Sequence, residues 1–146
     1  AHVIAADLFC DPLQDALKGT ASVYQEAPLV AERIDSEPEP DVMVCSNPDR
    51  TAYGTERTKP LLVVEVADSS LQYDLLEKAA LYAEAGVPEC WVVDLAERRI
   101  VVFREPENGT YRIRFSVEEK ARITPGAWAE QCFEVSAFFP PPDLAS

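Results

Sequence analysis

Leu61-Leu62-Val63-Val64-Glu65-Val66-Ala67 is the clearest central strand of the chain, apolar except at Glu65. Side chains alternate along a strand, so Leu61, Val63, Glu65 and Ala67 share one face. Taking a lone carboxylate out of water is costly. Glu65 therefore either meets a neutralising partner or lines a cleft. Asp68-Ser69-Ser70 supplies an N-cap, and a helix is expected from Leu71 to Ala85, stopped by Gly86 and Pro88. Trp91-Val92-Val93-Asp94 reads as a second buried strand.

Further out, Val3, Ile4, Leu8, Leu13 and Leu17 recur at helical spacing. Asp11-Pro12 is expected to kink or restart that helix, and Gly19 to end it. Val23 to Leu29 and Val30 to Ile34 read as strands around Pro28. The run from Ser36 to Pro40 is a loop, and Asp41 to Cys45 is a buried strand. Residues 46–59 are polar and turn-rich, which predicts a long flexible loop of the kind that often carries function. Ile100 to Arg104 and Tyr111 to Phe115 are expected to form a hairpin across Pro106-Glu107-Asn108-Gly109. Short strands follow near Ala121–Ile123 and Phe133–Val135, with a Pro125-Gly126 turn between them. One domain over residues 1–139 is expected, with 140–146 as a loose proline-rich tail. The chain opens at Ala1 without a methionine, inside the expected first helix, so a preceding segment is expected.

The 146 residues carry a formal charge of −13 and are 47% apolar. That balance argues against binding nucleic acid through a broad basic surface. It is compatible with carboxylates that hold a cation. Cys10, Cys45, Cys90 and Cys132 have no paired spacing of the zinc-site kind and are expected to be unpaired thiols of a cytoplasmic protein. No apolar stretch is long enough to span a bilayer.

A second carboxylate, Asp41, follows Pro40 at the head of an apolar strand. Two adjacent strands can bring Asp41 and Glu65 together, and hard cations such as Mg²⁺ take such oxygen ligands with waters and substrate phosphate. On the helix after Glu65, Asp74, Lys78 and Tyr82 follow one another at i,i+4. Taken alone, Asp74 and Lys78 would be an ordinary exposed ion pair. Leu75, Leu76, Ala79 and Ala83 are expected to face the core, leaving the Lys78 face towards the strand end that bears Glu65. The Arg98-Arg99 pair reads as a solvated hairpin tip in preference to a phosphate site, and Trp91 and Trp128 as core or interface residues in preference to base-stacking platforms.

Pro40-Asp41-Val42-Met43-Val44, the strand through Glu65 to Ser70, Asp74-x-x-x-Lys78-x-x-x-Tyr82, and Gly86-Val87-Pro88-Glu89-Cys90-Trp91-Val92-Val93-Asp94 together resemble the Uma-type restriction-endonuclease-like family of the PD-(D/E)XK nuclease superfamily. The dense part covers residues 39–104. The resemblance implies an α/β fold, a restriction-endonuclease-like mixed β-sheet flanked by helices. It also implies a Mg²⁺- or Mn²⁺-dependent endonuclease site. Asp41 takes the place of the Asp of the Pro-Asp element and Glu65 that of the Glu in Glu-x-Lys, with the Val66 carbonyl as a third metal ligand. Position 67, where the superfamily's lysine usually falls, holds Ala67, so Lys78 stands as a lysine migrated to the helix. Ala67-Asp68-Ser69-Ser70 also departs from the family's common Ser-Pro-Ser-Thr. An acidic residue on an N-terminal helix is expected upstream of Ala1, with Asp7 and Asp11 as substitutes; His2 reads as a surface residue. The implied partner is nucleic acid, DNA in the first place, and the implied assembly is a homodimer. The acidic balance and the displaced lysine leave open an alternative, an inactive nuclease fold serving as a binding or scaffold module.

Overall fold

The computed structural model describes residues 2–29, 37–53, 55, 59–67 and 72–140, with side chains for all of these except 2–5, 9 and 72–75. Six strands form one mixed sheet: β1 (Ser22–Gln25), β2 (Val42–Cys45), β3 (Pro60–Ala67), β4 (Glu89–Asp94), β5 (Arg99–Glu107) and β6 (Thr110–Glu118). They lie side by side in chain order, and only β3 and β4 run parallel. That parallel pair needs a crossover, which is supplied by helix α2 (Gln72–Glu84). Helix α1 (His2–Leu17) precedes the sheet. A two-stranded ribbon, β7 (Arg122–Ile123) with β8 (Phe133–Glu134), follows it. The expected mixed sheet with flanking helices is therefore the observed fold.

The alternation of β3 divides the core into two layers. Leu62, Val64 and Val66 pack with Ala6, Cys10, Leu13 and Leu17 of α1, together with Trp91, Trp128 and Phe138. Val63 and Ala67 pack on the other face with Ala79 and Tyr82 of α2. Both tryptophans are core residues, as expected. Cys10, Cys45 and Cys90 are buried and Cys132 is exposed, all four as free thiols.

Several boundaries differ from expectation, each for a local reason. α1 runs through Pro12 without restarting; the proline removes one backbone donor, while Cys10 before it and Leu13 after it stay buried. β1 stops at Gln25 because Glu26 takes a left-handed backbone (φ 53) ahead of Pro28. The expected strand Val30 to Ile34 and the Asp68-Ser69-Ser70 cap lie outside the described residues. So do Leu71 and the side chains of His2, Asp74 and Leu75. Within the loop at 46–59, Asp49 caps a 3-10 turn over Arg50–Ala52, Ala52 is buried, and Arg50 donates to the Val23 carbonyl at 3.1 Å. That part is anchored, contrary to a loop flexible throughout. The hairpin is longer than expected: Pro106 pairs with Tyr111 inside the ladder, and the turn narrows to Asn108-Gly109, both with positive φ. Leu76 is 44% exposed and not in the core. Among the described side chains of α2 the inner stripe is Ala79, Tyr82 and Ala83, because the small alanines let Tyr82 turn inward. Pro140 is buried and its carbonyl accepts from Arg98 at 3.0 Å. Among the described residues no helix is long and apolar enough to cross a membrane.

Candidate active site

β2 and β3 are antiparallel, with Val42 opposite Val64. One step further along that register sets Asp41, just before β2, opposite Glu65. The Asp41 carboxylate accepts the Val66 N–H at 2.8 Å, and the Asp41 carbonyl accepts from Glu26 at 3.2 Å. Asp41 is half-buried. Within a strand, the N–H and C=O of one residue point to the same side. The Val66 carbonyl therefore faces the side on which Asp41 lies, beyond the start of β2.

Glu65 is 2% exposed, in the middle of the sheet. Among the described residues, three groups reach it. The Tyr82 hydroxyl donates a short hydrogen bond to Oε1. Lys78 Nζ stands 3.7 Å from Oε2, an ion pair without a direct hydrogen bond, with the lysine side chain 49% exposed. Asp41 interacts with it both by charge and by a hydrogen bond between the carboxyls. Burial pushes the Glu65 carboxyl up to about 7. The Tyr82 hydrogen bond acts against that rise, the Asp41 charge adds to it, Lys78 offsets part of it, and the hydrogen bond with Asp41 raises it further. Tyr82 is itself pushed well above the ordinary phenol range by burial and by the Glu65 carboxylate, so it stays a donor.

Asp41, Glu65 and Lys78 thus meet at one end of β3, on the face covered by α2. Tyr82 joins them; the sequence reading placed it on the Lys78 face but gave it no role, and its i+4 spacing from Lys78 was the available signal. Ala67 follows Glu65 on the same face and donates nothing from its side chain. Of the two N-terminal carboxylates considered, Asp7 is exposed and accepts from Gln25 Nε2 at 3.1 Å, and Asp11 is exposed on α1. Among the described residues no three His, Cys, Asp or Glu side chains gather closely enough to hold a metal ion. Two carboxylates that repel each other in a buried setting nevertheless suit a hard divalent cation, which commonly takes one or two carboxylates and completes its shell with waters and phosphate.

Arg98 and Arg99 part company at the β4–β5 turn, and neither is a solvated tip. Arg98 makes a two-pronged contact with Glu119 at 2.8 and 2.7 Å and lies over the Phe139 ring. Arg99 turns to the α2 face and lines a cleft beside the site with Ala67, Leu76, Val92, Asp94 and Arg114, among others.

The comparisons with known proteins agree with this fold. A crystal structure of a "putative nuclease belonging to DUF820" from Anabaena variabilis ATCC 29413 is similar over 94% of this chain and 79% of that one, at 16% identity and a TM-score of 0.75. A cryo-electron-microscopy structure of a DrdV-DNA complex is similar over 74% of this chain and 9% of that one, at 16% identity and a TM-score of 0.44. Among curated proteins nothing matches. The profile of the Uma2 family, described as "Putative restriction endonuclease", matches residues 1–132. With nine-tenths of its length matched by that profile and its sheet like that of a DUF820 structure, the chain belongs to the Uma2 family.

Proposed function

We propose that the chain is a metal-dependent endonuclease that hydrolyses phosphodiester bonds, with DNA as its substrate. The observation that carries this reading is the meeting of Asp41, Glu65 and Lys78 at one end of β3. Asp41, Glu65 and the Val66 carbonyl would hold Mg²⁺ or Mn²⁺, which when bound supplies Lewis acidity towards a phosphate oxygen and a more acidic water. Glu65 must be ionised to serve, and the Tyr82 hydroxyl favours that state. The hydrogen bond from Val66 N–H fixes the Asp41 carboxylate. Lys78 reaches Glu65 from α2, and its ammonium offsets charge that develops on the phosphoryl oxygens. The free thiols suit a reducing compartment such as the cytoplasm.

A second reading, a nuclease fold that binds without cleaving, is favoured by the net charge of −13 and by the near closure of Glu65. Supercoiled plasmid separates the two. The wild type nicks it with Mg²⁺ and not with EDTA, and Asp41→Asn and Lys78→Met lose most of that activity. Nicking that survives both substitutions, or a wild type that never nicks, overturns the endonuclease reading.

A further inference from the structure

The cleft that begins at Ala67 is the feature of the α2 face that the metal-site reading leaves unused. Its floor is Ala67, Val92, Val101 and Phe103, and its exposed rim is Leu76. Val92 lies directly opposite Glu65 in the β3–β4 register, so the cleft adjoins the site. Among the described residues, two guanidiniums and one carboxylate line it: Arg99, Arg114 and Asp94. In a chain of net charge −13 the described lining carries an excess of positive charge.

The carboxylate is paired with one of the two arginines, Arg99. Asp94 Oδ1 accepts the Glu97 N–H at 3.1 Å and so belongs to the β4–β5 turn. Its Oδ2 stands 3.6 Å from Arg99 Nε, which is buried and donates no hydrogen bond to any described residue. Nε itself is closed to solvent, but the Arg99 side chain as a whole is 37% exposed, so its guanidinium remains part of the cleft wall. Arg114 stacks on the Phe103 ring at 5.4 Å, and its side chain is exposed. The cleft therefore combines donors suited to a phosphate with an apolar and aromatic floor suited to a base.

We infer that this cleft takes one unpaired nucleotide of the nucleic-acid strand, its phosphate on Arg99 and Arg114 and its base against Val101, Phe103 and Leu76. The inference rests on the endonuclease reading for its strand. Arg99 lies two strands from Glu65, about 10 Å across the sheet, so the nucleotide flanks the phosphate at the metal site. A paired base is held in its stack and cannot enter such a floor; a base of a single strand can be splayed into it.

Binding measured in EDTA keeps cleavage out of the test. Fluorescence anisotropy with a labelled single strand of about 12 nucleotides, and with its duplex, gives the affinities. For the wild type, single-strand binding is expected to be the tighter. The double substitution Arg99→Gln/Arg114→Gln should weaken it about tenfold or more, and the slope of log affinity against log salt should fall by about 0.7, one single-strand phosphate. Duplex binding should change much less. Arg112→Gln/Arg122→Gln, the same loss of two charges at exposed arginines outside the cleft, should bind as wild type. Arg99→Lys/Arg114→Lys guards against a fold defect, because it keeps the charge and should retain the salt slope. No single-strand binding by the wild type, an unchanged affinity in the Gln double variant, or an equal loss on duplex and single strand each overturns the cleft assignment. A wild type that binds in this way but never nicks plasmid would remove the endonuclease reading and leave the cleft.

Discussion

Glu65 carries the largest local conflict in the chain, a carboxyl buried beside another carboxyl. Its affinity for protons is raised on folding, from about 4.5 to about 7. The sign follows: between those values the folded state holds the proton more tightly than the unfolded state. This group's stabilisation is therefore full below pH 4.5 and is lost as pH rises through 7. Glu65→Gln removes the dependence. In urea titrations of metal-free protein, the stability of wild type minus that of Glu65→Gln should fall by up to about 3 kcal/mol between about pH 4.5 and pH 8. A flat difference would contradict the buried-carboxyl account. Tyr82→Phe removes the hydroxyl that favours the ionised form, so the pH at which Glu65 titrates should move up. Infrared titration of the carboxyl band checks this, and a downward move contradicts it. Lys78 is half-exposed and without a hydrogen bond to Glu65. Lys78→Met should therefore leave thermal unfolding within about 1 kcal/mol of wild type, whatever it does to nicking.

At the scale of elements, β4 and β5 are tied to the C-terminal segment through Glu89. Its carboxylate is nearly buried and accepts from Trp91 Nε1, from Arg104 Nε at 2.9 Å and from the Gly126 N–H at 2.9 Å. Arg104 also donates to the Thr124 carbonyl. A Cβ on Gly126 would stand 2.8 Å from Glu89 Oε1. Gly126→Ala should therefore cost about 1–3 kcal/mol in urea unfolding, and wild-type stability would contradict the packing described. These ties were not legible in the sequence, because they join positions far apart in the chain. The strands were legible where apolar runs were long, as in β3, and the α2 crossover was legible from Gly86 and Pro88. Of the inner face expected for α2, Ala79 and Ala83 are buried and Leu76 is not: periodicity favours Leu76 as a core residue, whereas packing against Glu65 turns Tyr82 inward. Asp41, Glu65 and Lys78 could be named from spacing and family resemblance. The Arg99–Arg114 cleft could not, since it depends on the β5–β6 register.

For the molecule as a whole, the sheet ends in an edge, β6, that carries the exposed side chains Ile113 and Phe115. Unpaired edges with apolar side chains invite pairing, and two-fold dimers are the commonest assembly. Light scattering at micromolar concentration should give twice the 16.2 kDa chain mass; the single-chain mass would reject the dimer. The central claim is that Asp41 and Glu65 together hold one divalent cation. Mn²⁺ binding followed by electron paramagnetic resonance at about pH 8, above the Glu65 titration, tests it without relying on cleavage. The account predicts one site in the wild type, kept in Lys78→Met and lost in both Asp41→Asn and Glu65→Gln. The same Mn²⁺ stoichiometry and affinity in all four proteins would contradict it.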